Sequence, residues 1–232
     1  MSLPYRYLLF DADDTLFDFA AIEERALTQL LEHYGLPTDG TVKGLYRSIN
    51  DGLWRQLETG EITMEALFLE RFVRLFRTMG ITGEAAEWNH YYLTALSHCP
   101  DLLPGAEELC AALAPHYTLC LITNGVPFVQ RQRLEDSPLR RYFPEERRFI
   151  SGEMGTHKPE PAYFRQVLST LSPDSLGEVL VIGDSLSSDI RGALDAGLDC
   201  VWLNRRGRPA GDVRPTYTCT DLNQVRELLL PA

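Results

Sequence analysis

The period of apolar positions changes twice along the chain. Residues 5–10, YRYLLF, are a short apolar run that reads as a buried strand. From residue 16 to about 99 the period becomes helical. Phe19, Ile22, Ala26, Leu30 and Leu31 share one stripe that stops at Gly35, and Leu67, Phe68, Phe72, Leu75, Phe76 and Met79 share a second behind Thr63, a suitable N-cap. With VKGLYRSINDGLWRQLETG between these stripes and EAAEWNHYYLTALSHC after them, the segment predicts four helices and no strand. From LLPGAEELC onward, strands and helices alternate. Strands are predicted at 117–123, 147–151, 178–183, 199–203 and 216–220, and helices at 105–114, 127–135, 159–171, 186–196 and 221–229. Pro159 and Pro161 suit the first turn of one helix, and Asp221 suits the N-cap of the last.

Alternation of this kind implies parallel strands joined by right-handed crossovers, with helices on both faces of the sheet. The first strand belongs to that sheet. The expected architecture is therefore α/β: a parallel-sheet core of residues 1–15 and 100–232, interrupted by an all-helical insertion, residues 16–99, seated as a cap. The Gly- and Pro-rich stretch RRGRPAGDVRP, 205–215, is predicted to be a loop.

Composition narrows the function. A chain of 232 residues, 44% hydrophobic, can bury a sizeable core. Its formal net charge of −11 opposes encounter with a nucleic acid polymer or an anionic membrane, so a phosphate-bearing ligand needs a locally positive site. Cys99, Cys110, Cys120, Cys200 and Cys219 are an odd set in apolar surroundings, which predicts buried free thiols in a reducing compartment. No signal peptide precedes the first strand and no apolar run reaches spanning length, so a cytoplasmic protein, monomer or homodimer, is expected.

In an open α/β sheet the ligand crevice lies beyond the carboxyl ends of the strands. Four such positions carry polar residues here: FDADDT, LITNG, GTHKPEP and IGDSLSSD. Each has an ordinary explanation as a turn or helix start. A buried strand that runs directly into Asp184 and then Asp189 is nevertheless a costly arrangement for a helix cap alone.

The four together, in this order, resemble the motifs of the haloacid dehalogenase superfamily. The match comprises D-x-D-x-T at Asp11, Asp13 and Thr15, then Thr123, then Lys158 within HKPEP, and G-D-S-x-x-x-D from Gly183 to Asp189. The resemblance implies a Rossmann-like core with a helical cap, and a Mg²⁺-dependent phosphatase working through an aspartyl phosphate. Asp11 is then the nucleophile, and Asp13 the general acid and base. Thr123, the backbone amides of Asn124 and Gly125, and Lys158 are implied to bind the phosphoryl group. Mg²⁺ would take oxygens from Asp11, the Asp13 carbonyl and Asp184, with Asp189 orienting water or Lys158.

The chemistry demands such a set independently. Phosphate monoesters hydrolyse very slowly unaided, so a catalyst must neutralise charge on a dianion while presenting a nucleophile. A carboxylate can be that nucleophile only if a cation cancels its repulsion from phosphate.

DADDTLFDF and LWRQLETGEIT also resemble pyrimidine 5'-nucleotidases of the superfamily, which implies a small phosphorylated metabolite, a nucleoside monophosphate, as substrate. Phosphoglycolate or sugar-phosphate phosphatases and mutases share the core residues. A 2-haloacid dehalogenase has no need of Asp13 and Asp184, and a non-catalytic phosphate-binding module has no need of Asp13.

Phe17 and Trp54 are the candidates for contact with a base, because neither is explained by a helical stripe, whereas Phe68, Phe72 and Phe76 are read as core. The remaining polar residues take ordinary roles: Asp14 in turn geometry, His157 beside the site or facing solvent, and the arginines of RQRLEDSPLRR as a solvated helix. Arg205, Arg206 and Arg208 follow a strand, which would allow a place near the crevice rim, but they are assigned to a surface loop.

Overall fold

The structure is a computed structural model that describes residues 4–230; positions 1–3 and 231–232 of the expected core segments lie outside the described residues. The elements run β1 (Tyr7–Asp11), α1 (Phe19–His33), α2 (Gly40–Glu58), α3 (Met64–Met79), α4 (Ala85–Ser97), α5 (Ala106–Leu113), β2 (Thr118–Thr123) and α6 (Pro127–Asp136). They continue as β3 (Arg148–Ile150), α7 (Ser151–Met154), α8 (Pro161–Leu171), β4 (Val179–Gly183), α9 (Arg191–Asp195), β5 (Asp199–Leu203), β6 (Tyr217–Cys219) and α10 (Leu222–Leu229). The chain divides into two compact units, one joining the segment that ends at Phe19 to the segment that starts at Pro100, the other Ala20–Cys99.

The first unit is α/β, with all six strands parallel in the order β3-β2-β1-β4-β5-β6. The central strands are apolar on both faces: Leu8, Leu9, Phe10, Ile122, Leu180, Val181 and Ile182 are all fully buried. Burial on both sides is what makes these strands continuous apolar runs without alternation. Each such side chain contributes roughly 1.5–3 kcal/mol relative to exposure. On one face Leu9, Ile122 and Val181 pack with Tyr163, Phe164 and Val167 of α8 and with Ile190 and Ala193. The chain lays β2 and β3 on one side of β1, then crosses to lay β4 to β6 on the other. That reversal opens a crevice at the carboxyl ends of β1, β2 and β4.

Two helices differ from the pattern predicted for them. The one expected over 159–171 starts only at Pro161, leaving Lys158 on the preceding loop. The one expected over 186–196 opens with a π-helical turn, Leu186–Ile190, before α9. Ser185 is the cause: its carbonyl accepts from the amides of both Asp189 (3.0 Å) and Ile190 (3.1 Å), widening the turn.

The second unit is helical, with α2 capped by Asp39 and α3 by Thr63, whose side chains accept from the amides of Thr41 and Ala66. Its core holds Tyr46, Phe72 and Tyr92, with ring centroids 5.2–6.0 Å apart. Phe72 and Phe76 are buried, as the stripe predicts, whereas Phe68 is only partly so. Among the described residues no helix is long and apolar enough to cross a membrane.

Candidate active site

The DADDT turn leaves β1 sharply because Asp14 adopts a left-handed conformation, φ 58°, and the amides of Leu16 and Phe17 both fold back onto the Ala12 carbonyl at 2.9 Å. Asp14 thus has the turn role read from sequence. Asp11 ends β1 in register with Ile122 of β2.

Lys158 reaches into this crevice from the loop before α8. Its Nζ, on a side chain 1% exposed, donates to Asp11 Oδ1 (2.5 Å), Asp189 Oδ1 (2.7 Å) and the Ile122 carbonyl (3.1 Å). Thr15 Oγ1 donates to the other oxygen of Asp11 at 3.3 Å. The Lys158 loop is tied to the loop after β2 by a reciprocal pair: Asn124 Nδ2 donates to the Lys158 carbonyl (2.8 Å), and the Lys158 amide to Asn124 Oδ1 (2.9 Å).

Asp189 is placed by the π-helical turn. One oxygen meets Lys158 and the other accepts from the Ser185 amide at 3.0 Å. Gly183 makes room for it.

The electrostatics follow from burial. Desolvation and the Asp189 charge push the Asp11 carboxyl above the ordinary carboxylate range, against the pull of Lys158. Burial alone would lower the Lys158 ammonium, but Asp11 and Asp189 more than reverse this and hold it protonated. Asp184 is pushed up to about 7, by desolvation first and Asp189 second.

Asp11, Asp184 and Asp189 each offer a carboxylate oxygen, all lying within 4.8 Å of one another. Lys158 and Arg208 oppose these three carboxylates, with Asp13 and Asp14 close by in sequence, so the end of β1 stays rich in negative charge, and the donors are hard oxygens. This set fits a hard divalent cation such as Mg²⁺.

The other expected residues are distributed as follows. The Thr123 hydroxyl is buried at the end of β2 without a hydrogen-bond partner, a group available to a ligand. The Gly125 amide, expected to meet a phosphoryl oxygen, instead donates to Ser151 Oγ at 3.0 Å because α7 packs closely there. Phe17 is buried in the first unit, 1% exposed, and Trp54 packs on Leu53, Leu57 and Leu67 in the helical unit. His157 turns toward Glu160 (3.0 Å), away from the carboxylates.

Sequence reasoning missed two residues, Arg133 and Gln130. Arg133, expected on a solvated helix, is buried and pairs with Asp13 at 2.7 Å, and Gln130 Nε2 donates to Asp13 Oδ2 at 3.1 Å. A signal was present: Val129, Gln130, Arg133 and Leu134 form the buried face of α6, so two polar residues occupy positions of an apolar stripe. Arg206 and Arg208 are exposed, as a surface loop requires, yet they reach Asp14 (3.3 Å) and Asp184 (3.1 Å).

Residues 5–197 match the family model of the haloacid dehalogenase-like hydrolases. The chain is 37% identical over 226 residues to the HAD-hydrolase YfnB of Bacillus subtilis, covering 97% of this chain and 95% of that protein. It is 37% identical over 201 residues to the pyrimidine 5'-nucleotidase PynA of Streptococcus pneumoniae (86% and 84% covered) and 31% over 229 residues to the pyrimidine 5'-nucleotidase YjjG of Escherichia coli (98% and 99%). The crystal structure of magnesium-bound YfnB superposes with a TM-score of 0.92 at 36% identity, over 97% of this chain and 99% of that one.

Proposed function

The chain belongs to the haloacid dehalogenase-like hydrolases, and from that premise we propose that it is a Mg²⁺-dependent phosphatase of small phosphate monoesters, acting on nucleoside 5'-monophosphates through an aspartyl phosphate on Asp11. The observation that carries the reading is Lys158 held between Asp11 and Asp189 at the end of β1, with Asp184 alongside. A dehalogenase would need neither Asp13 nor Asp184.

Lys158 and Thr15 hold both oxygens of Asp11, so the carboxylate is oriented before substrate arrives. The Thr123 hydroxyl would contact a phosphoryl oxygen, with the Asn124 amide as a second donor, and Lys158, whose three N–H groups go to Asp11, Asp189 and the Ile122 carbonyl, would add its charge. Gly125 is left out of this set because its amide is already engaged. Asp11, the Asp13 carbonyl and Asp184 would hold Mg²⁺, and Asp189 would keep Lys158 in line. When bound, the ion neutralises charge shared between the nucleophilic carboxylate and the phosphoryl oxygens.

In the first step an Asp11 oxygen attacks phosphorus and the ester P–O bond breaks, while Asp13 gives its proton to the departing oxygen. In the second, water attacks phosphorus and yields its proton to Asp13. The bond from phosphorus to Asp11 breaks, which returns the carboxylate and frees inorganic phosphate.

The core residues meet only the phosphoryl group, so selection among leaving groups falls to the helical unit, acting as a cap, with Trp54 the residue proposed to meet a base. The names of PynA and YjjG favour pyrimidine nucleotides.

The test is phosphate release across nucleotides, sugar phosphates and phosphoglycolate, with Mg²⁺ and with EDTA. Mg²⁺-dependent release that is highest on UMP, dUMP or dTMP and absent in Asp11→Asn supports the proposal. Full activity in EDTA contradicts it, and a preference for phosphoglycolate or a sugar phosphate reassigns the substrate.

A further inference from the structure

We propose that Arg133 and Gln130 are positioning residues that fix the Asp13 carboxylate for proton transfer, an inference that rests on the phosphatase reading above. Arg133 Nη2 lies 2.7 Å from Asp13 Oδ1, and Gln130 Nε2 donates to Asp13 Oδ2 at 3.1 Å. The same Arg133 nitrogen donates to Gln130 Oε1, which orients the amide and closes a ring of three side chains. The Arg133 guanidinium sits over the rings of Phe17 (5.2 Å) and Phe19 (5.9 Å).

A purely structural explanation is poor. Arg133 is 1% exposed, and its Nε and Nη1 are buried without hydrogen-bond partners. A buried ion pair with unmet donors contributes less to stability than an apolar side chain of similar reach. What the arrangement does achieve is geometric control, because an ion pair through the single nitrogen Nη2 of Arg133 holds one oxygen of the carboxylate while the Gln130 amide donates to the other.

A general acid displaced by about 1 Å costs on the order of 100-fold in rate, which is the loss these two residues would prevent.

The test measures kcat/KM, which covers steps only through the first phosphoryl transfer, on p-nitrophenyl phosphate and on the best alkyl ester of the substrate panel. The Mg²⁺-loaded full chain is used. Nitrophenolate leaves with little protonation; an alkoxide does not. Arg133→Met is expected to lose on the order of 100-fold on the alkyl ester and under about tenfold on p-nitrophenyl phosphate. Arg133→Lys should recover part of that loss, and Arg133→Met combined with Asp13→Asn should be no slower than Asp13→Asn alone.

Gln130→Met leaves the Arg133–Asp13 pair in place and serves if Arg133→Met does not fold. It should show the same selective loss at roughly five- to tenfold. Equal losses on the two esters, or a double mutant whose losses add, would overturn the assignment. A wild-type protein without Mg²⁺-dependent turnover, or a fully active Asp11→Asn, would instead remove the phosphatase reading, and the inference with it.

Discussion

Asp189 packs directly against the backbone of Gly183: a methyl group on that glycine would stand 2.3 Å from Asp189 Oδ2 and 2.6 Å from its Cβ. Strand β4 therefore ends in glycine so that a carboxylate from the next turn can lie beside it and reach Lys158. Gly183→Ala should displace Asp189, lower stability by about 1–3 kcal/mol through overpacking, and reduce kcat on the order of 100-fold by moving Lys158. Urea unfolding and steady-state kinetics check this, and wild-type values in both would show that Asp189 can move without consequence.

Lys158 compensates Asp11 and Asp189, which are themselves buried. Lys158→Met leaves two carboxylates facing each other in a dry place and should destabilise the metal-free protein by about 3–5 kcal/mol at pH 8. Mg²⁺ should return part of that stability, because the cation replaces the lost charge, while activity stays at least about 100-fold down. Thermal unfolding with EDTA and with Mg²⁺ measures both effects; a Tm equal to wild type in EDTA would deny Lys158 its structural share.

Burial pushes the thiols of Cys110 and Cys120 up to about 12, and all five cysteines are free and buried. A thiol whose folded pKa is raised contributes stability that is fully present below the ordinary thiol pKa, roughly 8.5, and lost as pH climbs toward the folded value. Stability should therefore hold near pH 8 and fall by about 1.4 kcal/mol per pH unit for each of these two thiols between about pH 9 and 11. Iodoacetamide at pH 8 should leave the native thiols unmodified and label them all in denaturant. Rapid native labelling of Cys110 or Cys120 would contradict their burial.

Trp54 tests where selectivity resides. Trp54 also packs on Leu53, Leu57 and Leu67, so Trp54→Ala should lower Tm; at a temperature where the variant stays folded, its kcat/KM for nucleotides should fall at least about tenfold more than for p-nitrophenyl phosphate. Equal losses on the two substrates would confine Trp54 to that packing.

The sheet was legible because its strands are apolar on both faces, and an uninterrupted run such as VLVIG ended by Asp184 has few other solutions. The four polar strand ends were legible for the same reason, since parallel strands bring their carboxyl ends to one edge. What sequence reading missed depends on distant pairing. Gln130 meets Asp13 across 117 positions, and although the stripe of α6 marks Gln130 and Arg133 as buried, nothing local says that their partner is the turn after β1. The amide of Gly125 was assigned to phosphate because a turn frees such groups, but its bond to Ser151 depends on how α7 packs, which composition does not encode.

The central claim is that Asp11 carries the phosphoryl group. Acid quench of the Mg²⁺-loaded enzyme during turnover of ³²P-labelled uridine 5'-monophosphate, followed by peptide mapping, tests it most directly. The account predicts acid-stable, base-labile label on the peptide containing Asp11, absent from Asp11→Asn and from wild type in EDTA. Turnover with no protein-bound phosphate under conditions that trap acyl phosphates, or label confined to another peptide, would contradict it.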